Sequence, residues 1–540
     1  MIPGPQNRRL FAMTLAGLGL LGSALVAAPS AGQPVADHAL ALPAAPAAIP
    51  WRPCGGGFEC ADVAVPKDYD QPGLGTLTVA VIRLPARNQE RRIGPLFVNF
   101  GGPGGPAVSS LRAFGADFFG PINSRFDIVG IDPRGVGKSR PAIDCAVNQE
   151  RIGVYRQPFP RPGTATPAEL TSKADRYIDR CLDRNEDVLE YVSTANVARD
   201  MDLVRGRMGD PKLSYLGFSY GTFLGATYAS LFPDRYRAMV LDGALDPDQY
   251  INEPLSSLAE QTAGFELGFG RFMQACARNQ KACQDFGGDD PWAAYDTLAR
   301  RLDRNPVRVG GRAYDGDDLR AGTALGLYSK SLWPLLAQGL KTVRKTPRRS
   351  FMPLLTAAFY GRNEDGTYSP FLDRYFTLGA LEQRYPTDIE PYLREGRESF
   401  FSNPHFWWNN GYVEYAWGRY PVPPRDVFYG PFDASSTATP PLVVGTTFDP
   451  ATPYQGAKAM VRQLGNARLL TMVGDGHTAY GGNSRCIDRR VNAYLLERQL
   501  PRPGKRCQQR VPFTEVFAKA SRVAPSTIAG VRPHQKPMVG

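Results

Sequence analysis

Short apolar runs, separated by glycine-rich or polar turns, recur over residues 51–247 and return over 437–477. GTLTVAVIRLPA alternates apolar and polar positions as an early strand does. PLFVNF (95–100) is a continuous apolar run ending in a glycine cluster, the pattern of a buried strand entering a loop, and FDIVGID (126–132) repeats it. In TANVARDMDLVRGRMG, Val197, Met201, Val204 and Met208 share one helical stripe, after which KLSYLGF reads as strand. GTFLGATYASLF predicts a helix that Pro233 stops before a strand over RAMVLDG (237–243). Strands alternating with helices predict a parallel sheet.

The rhythm changes after residue 247. Residues 248–436 carry helical stripes, aromatics and irregular stretches such as FFSNPHFWWNNGYVEYAWGRYP, which predict a mainly helical inserted domain. PLVVGTTFD (441–449) and ARLLTMVGDGH (467–477) restore the strand pattern, with a helix predicted over 454–464. The expected organisation is a first core segment over 51–247, a helical cap over 248–436, a second core segment over 437–510 and a basic, Pro-containing tail over 511–540. No internal repeat is present.

The N-terminal residues add a compartment. Arg8 and Arg9 precede an uncharged apolar stretch and then small residues at Ala27, Ala28 and Ala31, the arrangement of a secretory signal over 1–31. The paired arginines weakly resemble a twin-arginine export signal. The apolar stretch is rich in Gly and Ala and is followed by an Ala/Pro-rich linker or propeptide over 32–50 rather than by a stop-transfer cluster, so no stable membrane anchor is expected. The expected location is extracellular. Eight cysteines fall in four neighbourhoods, Cys54 with Cys60, Cys145 with Cys181, Cys276 with Cys283 and Cys486 with Cys507. An even count in an exported chain points to disulfides. Eight cysteines allow 105 connectivities, among which nearest-neighbour pairing is the simplest. No CxxC pair and only four His argue against a zinc site, and no metal is expected.

Composition removes other classes. Gly and Pro, at 56 and 48 of 540 residues, stay below the about 25 to 30% that marks low-complexity chains. The 63 Lys and Arg exceed the 52 Asp and Glu for a net charge of +11, but the basic residues form no long run, which reads as a solvated surface rather than a nucleic-acid footprint.

The chemistry concentrates at three places. Gly217-Phe218-Ser219-Tyr220-Gly221 lies between a predicted strand and a predicted helix, the context of a nucleophile elbow, where the sharp turn leaves no room for flanking side chains and exposes the serine. A serine hydroxyl needs a base. Of the four His, His38 lies in the linker, His534 in the tail and His405 among cap aromatics, which leaves His477, in GDGH after a strand. The base needs an acid to fix its tautomer, and Asp449 at the end of PLVVGTTFD supplies one. Asp475 is the rival, too near His477 in the chain to orient its ring easily. The order Ser, Asp, His is that of α/β-hydrolases. An oxyanion needs backbone N–H donors. Tyr220, immediately after the nucleophile, supplies one, and the glycine loop after Phe100 the other, with Gly102 the first choice and Gly101 the second. A phosphate-binding reading of that loop fails for want of G-K-[ST] and of G-x-G-x-x-G. Asp315-Gly316-Asp317-Asp318 lacks the remaining ligands of a calcium loop and reads as a turn into a helix N-cap. Trp407, Trp408 and Trp417 read as core ahead of pocket lining.

Taken together, NFGGPGGP (99–106), FDIVGIDPRGVGKSRP (126–141), LGFSYGTFLGATYASLFPDRYRAMVLDGALDP (216–247), TTFDPATP (446–453) and GHTAYGGNSRC (476–486) resemble the secreted tripeptidyl aminopeptidases, α/β-hydrolase serine peptidases related to prolyl iminopeptidases. The resemblance implies a large helical cap over the triad and a peptide or protein substrate with a free N-terminus; with the strand-helix alternation the expected fold is an α/β-hydrolase with a mainly parallel sheet, and the acyl-transfer chemistry of the triad needs no cofactor. It extends to the terminal pair Cys486 and Cys507. Phe100 stands where prolyl iminopeptidases carry His, and NNGYVEYAWG lacks an expected cap Cys. An aminopeptidase must also hold an ammonium, for which Glu414, Glu260 and Glu266 are the candidate carboxylates. A secreted carboxylesterase using the same triad is the alternative enzyme, and a catalytically silent hydrolase fold used for binding is the non-enzymatic one.

Overall fold

The apolar runs form the middle of a single ten-stranded sheet. The structure is a computed structural model that describes residues 48–422 and 425–514; the signal-peptide reading and nearly all of the linker and tail readings lie outside them. In chain order the strands are β1 (Arg52–Pro53), β2 (Glu59–Pro66), β3 (Thr76–Leu84), β4 (Gly94–Asn99), β5 (Phe126–Ile131), β6 (Leu213–Phe218), β7 (Tyr236–Asp242), β8 (Val307–Val309), β9 (Arg312–Tyr314), β10 (Leu442–Phe448), β11 (Arg468–Asp475) and β12 (Arg506–Gln508). The main sheet runs β1-β2-β3-β5-β4-β6-β7-β10-β11-β12, and β8 and β9 form a separate antiparallel ribbon.

From β5 to β12 every pairing is parallel, while β1, β2 and β3 join at one edge by antiparallel ladders. The residue patterns explain this division. All six residues of β4, of β5 and of β6 are buried, as parallel strands covered on both faces require. In β2, Ala61, Val63 and Val65 are buried while Asp62 and Ala64 are exposed, the alternation of an antiparallel strand wet on one side. One apolar layer packs the helices Thr194–Arg207, Tyr220–Leu231 and Tyr454–Leu464 on the sheet through Met201, Leu224 and Met460. The opposite layer uses Leu111, Ile487 and Tyr494.

Residues 248–422 form a helical layer with an apolar core of its own, built around Phe269, Trp333, Leu336 and Trp408. This core also takes in Tyr155, Phe159 and Tyr177 from the excursion between β5 and β6, whose helix Pro167–Leu189 opens on a Thr166–Glu169 capping box. Trp407 and Trp408 are core, with Trp408 stacked on Phe159 at 4.5 Å. Asp315 caps the helix Gly316–Leu327, as its sequence context predicts.

All eight cysteines are paired as nearest neighbours, Cys54–Cys60, Cys145–Cys181, Cys276–Cys283 and Cys486–Cys507. Arg134, in the DPRG turn after β5, is wholly buried and forms a two-pronged ion pair with Asp200 at 2.7 and 2.8 Å. Its remaining N–H groups donate to the carbonyls of Pro66, Lys67 and Tyr191, so one guanidinium ties three loops at the sheet's carboxyl edge. Among the described residues, no helix is long and apolar enough to cross a membrane.

Candidate active site

In an open parallel sheet, ligands bind outside the carboxyl ends of the strands, and here the ends of β4, β6, β10 and β11 deliver the glycine loop, Ser219, Asp449 and His477 to that edge. Ser219 sits between β6 and the helix Tyr220–Leu231 with φ 56° and ψ −127°, a backbone conformation that L-residues rarely occupy. Sterics account for its neighbours. A Cβ at Gly217 would lie 2.3 Å from the Gly221 carbonyl oxygen, and one at Gly221 would lie 2.8 Å from Asn99 Oδ1, so neither position accepts a side chain without the turn opening.

Asp449 is buried, and its carboxylate has no unused face. Oδ1 accepts the N–H groups of Ala451 and Thr452 at 3.0 and 2.9 Å, and Oδ2 accepts that of Thr478 at 3.1 Å. His477 Nδ1 lies 2.9 and 3.0 Å from the two oxygens, which places the Nδ1 proton toward Asp449 and leaves Nε2 as the basic nitrogen. Thr452 Oγ1 lies 3.2 Å from the same Nδ1. The His477 ring makes no hydrogen bond to Ser219 here; such bonds commonly tighten only when substrate is bound. Asp475, the rival acid, faces away from the ring: it pairs with Arg271 and, at 3.2 Å, with Lys330, both from the helical layer. The same layer supports the histidine loop, since His477 N–H donates to the Tyr328 carbonyl at 2.7 Å. His405 is not among the residues lining the cavity at Ser219; it is paired with Glu266 and Asp296 and packed on Phe269.

Gly102, Ser219 and Tyr220 line one cavity, walled by Tyr250, Tyr375 and Tyr385. The Gly101 N–H is already committed to Asn99 Oδ1 at 2.9 Å, and of the two candidate glycines Gly102 lines the cavity. Tyr220 opens its helix, where backbone N–H groups have no intrahelical acceptor. Of the three candidate ammonium partners, Glu260 lines this cavity, exposed and accepting from Gln249 Nε2 at 3.1 Å. Glu414 is wholly buried behind the tyrosine wall; it accepts Gly411 N–H at 2.7 Å, one of its oxygens lacks a partner, and burial raises its carboxyl well above the usual range. Glu266 is engaged with His405 outside the cavity. Trp417 is both core and cavity wall.

One of the buried acids outside the sequence reading lies beside Tyr220. Glu382, in the cap helix Phe371–Glu382, accepts the N–H and Oγ1–H of Thr194 at 2.9 and 2.8 Å, and Thr194 Oγ1 in turn contacts the Tyr220 hydroxyl. Burial pushes its carboxyl up from 4.5 to about 7, against the pull of the two Thr194 bonds. The unfolded chain therefore ionises first as pH rises, and the stability this group contributes falls between about pH 4.5 and 7. Glu382→Gln should remove that slope, gaining on the natural protein by on the order of 3 kcal/mol from pH 4 to pH 8, as read by thermal unfolding across the range. Parallel curves would show that Glu382 does not titrate there.

With this geometry in place, comparison with known proteins separates family from substrate. Residues 408–507 match the family model described as TAP-like protein, and residues 95–325 match the α/β-hydrolase fold model. The chain is 33% identical over 513 residues to serine protease Hip1 of Mycobacterium tuberculosis, covering 90% of this chain and 93% of that protein. The chain belongs to the TAP-like serine hydrolases of the α/β-hydrolase fold. This TAP-like chain is also 35% identical to carboxylesterase B of Mycobacterium tuberculosis, across 93% of its own length and 99% of the relative's. It is 29% identical to the tripeptidyl aminopeptidase of Streptomyces coelicolor, across 84% of each chain. The TAP-like family is thus established, while the names of its relatives span proteolytic and esterolytic activities.

Proposed function

We propose that the protein is a secreted serine exopeptidase that releases short peptides, tripeptides in the first instance, from free N-termini through an acyl-enzyme on Ser219. In this reading His477 Nε2 takes the Ser219 proton as Oγ attacks the peptide carbonyl, and Asp449 stabilises the imidazolium. The N–H groups of Tyr220 and Gly102 receive the oxyanion. His477 returns the proton to the leaving amine and then activates water for deacylation.

The observation that carries the peptidase reading is the cavity itself. The helical layer closes over Ser219 with tyrosine walls and sets a carboxylate, Glu260, on the same surface, which suits an ammonium held a short distance from the scissile bond. The relatives named serine protease and tripeptidyl aminopeptidase support this reading, and the latter is the source of the three-residue unit. Export is supported by the signal-like N-terminal pattern and the four disulfides. The second reading, a carboxylesterase, is favoured by the relative of that name.

Three chromogenic substrates separate the readings: a free-amine tripeptidyl anilide, its N-acetylated twin and a short acyl ester. Cleavage confined to the free-amine anilide is expected; cleavage of the ester alone would move the protein to the esterases. Glu260→Gln should raise KM for the free-amine anilide about tenfold, the equivalent of about 1.4 kcal/mol, with kcat nearly unchanged and any ester turnover unaffected. Equal losses on amine and ester would remove Glu260 as the anchor.

A further inference from the structure

Asp242, the last residue of β7, lies between the nucleophile and the histidine and belongs to neither part of the triad. Its main-chain carbonyl accepts the Ser219 N–H at 3.0 Å. Its carboxylate, buried, accepts the Ala479 N–H at 3.0 and 3.1 Å and the Tyr480 N–H at 2.8 Å. The turn it grips is strained: Thr478, directly after His477, has φ 65°, a region that a β-branched residue enters only when its surroundings impose it. Two carboxylates do the imposing, Asp449 on the Thr478 N–H and Asp242 on the next two amides. The turn is also close to β7, since a Cβ at Gly243 would lie 3.2 Å from His477 Cε1.

We propose that Asp242 is a positioning residue for hydrolysis: it clamps the strained turn after His477 to the strand end that holds Ser219, and so sets the base against the nucleophile. This rests on the assignment of Ser219 and His477 as nucleophile and base. The titratable groups facing Asp242 are His477 and Tyr480 after β11 and Asp449 after β10. Burial, and more weakly the charge of Asp449, push its carboxyl up to about 7, against the pull of the Tyr480 and Ala479 amides and of His477. Ionised, it is the stronger acceptor for those amides and a negative neighbour of the imidazolium.

The test is Asp242→Asn in the full-length protein, with steady-state kinetics on whichever substrate the natural enzyme cleaves. The expected result is a kcat lowered about 10- to 100-fold with KM within about twofold. Adding Thr478→Gly, which relieves the strain the clamp opposes, should restore part of kcat in the Asp242→Asn protein. An unchanged kcat overturns the proposal, and so does a fall in kcat that Thr478→Gly does not partly restore. If Asp242→Asn does not fold, hydrogen exchange on the natural protein decides. The Ala479 and Tyr480 amides should be protected and should lose protection as the Asp242 carboxyl protonates below about pH 7; unprotected amides, or protection constant across that range, overturn it. Labelling of the natural protein by a fluorophosphonate, located by mass spectrometry, keeps the two readings apart. Absence of label on Ser219 would mean that the hydrolase assignment has failed, whereas label on Ser219 with unaltered Asp242→Asn kinetics would mean that the clamp has.

Discussion

Ser219→Ala should lower kcat/KM by about 10^4- to 10^6-fold on every substrate the natural protein cleaves, with its melting temperature little changed. On the proposed mechanism the loss is large because no acyl-enzyme forms without the hydroxyl, and what survives is the contribution of the oxyanion donors and of substrate binding. Stability is spared because the strain at this position comes from the backbone at φ 56° and from the Cβ, both of which alanine keeps. The Ser219 N–H to Asp242 carbonyl bond and the Thr222 Oγ1 bond to the Ser219 carbonyl also involve main chain only on the Ser219 side. Steady-state rates beside a thermal melt check both halves. A variant that keeps more than about one per cent of the activity would place the nucleophile elsewhere.

Asp449→Asn should cost about 10^4-fold in kcat, the scale expected when a triad acid becomes an amide. The local reason is a mismatch of donors. The carboxylate presents only acceptors, to three backbone N–H groups and to His477 Nδ1. An amide offers one oxygen and one NH2 group, so at least one buried N–H would face another donor, and His477 would be drawn to the tautomer with its proton on Nε2, where a base is needed. Unlike Ser219→Ala, this substitution should also lower the melting temperature, because an unpaired buried donor costs about 1 to 3 kcal/mol. Activity near the natural level would dismiss Asp449 as the acid. Asp475 could not take its place without releasing Arg271 and Lys330.

The parts of the molecule that could be read from the chain are those whose cause is local. The apolar run of FDIVGI becomes β5 because a segment without polar alternation is stable only when covered on both faces. The helix over 454–464 matches its prediction residue for residue, because Pro453 precedes it and Gly465 follows it. Ser219 was legible because the two glycines flanking its turn are a steric requirement carried in five consecutive residues. His477 was legible by scarcity, with four histidines in the chain and only one placed after a core strand. Asp449 followed from the same argument about strand ends.

Other features depend on which surfaces meet. Nothing in Glu382 or Thr194 announces that they share a buried contact behind Tyr220, since 188 residues separate them. The excursion between β5 and β6 shows no sign in its own pattern that Tyr155 and Tyr177 complete the core of the helical layer. The three candidate glutamates are alike as sequence, an acid in a helical region, yet folding puts Glu260 on the cavity, buries Glu414 behind it and gives Glu266 to His405. Gly101 and Gly102 differ by a single bond, Gly101 N–H to Asn99, invisible in a run of glycines.

By itself, then, the sequence determined the strand-helix alternation, the elbow and the order of Ser219, Asp449 and His477, because periodicity and turn sterics act over a few residues. The tertiary structure alone decided which of the two glycines lines the cavity, which of the three glutamates does so, and that Asp242 grips the turn beside His477. Those outcomes are set by burial and by contacts between distant segments, where a hydrogen bond or a desolvated charge depends on what packs opposite and not on its neighbours in the chain.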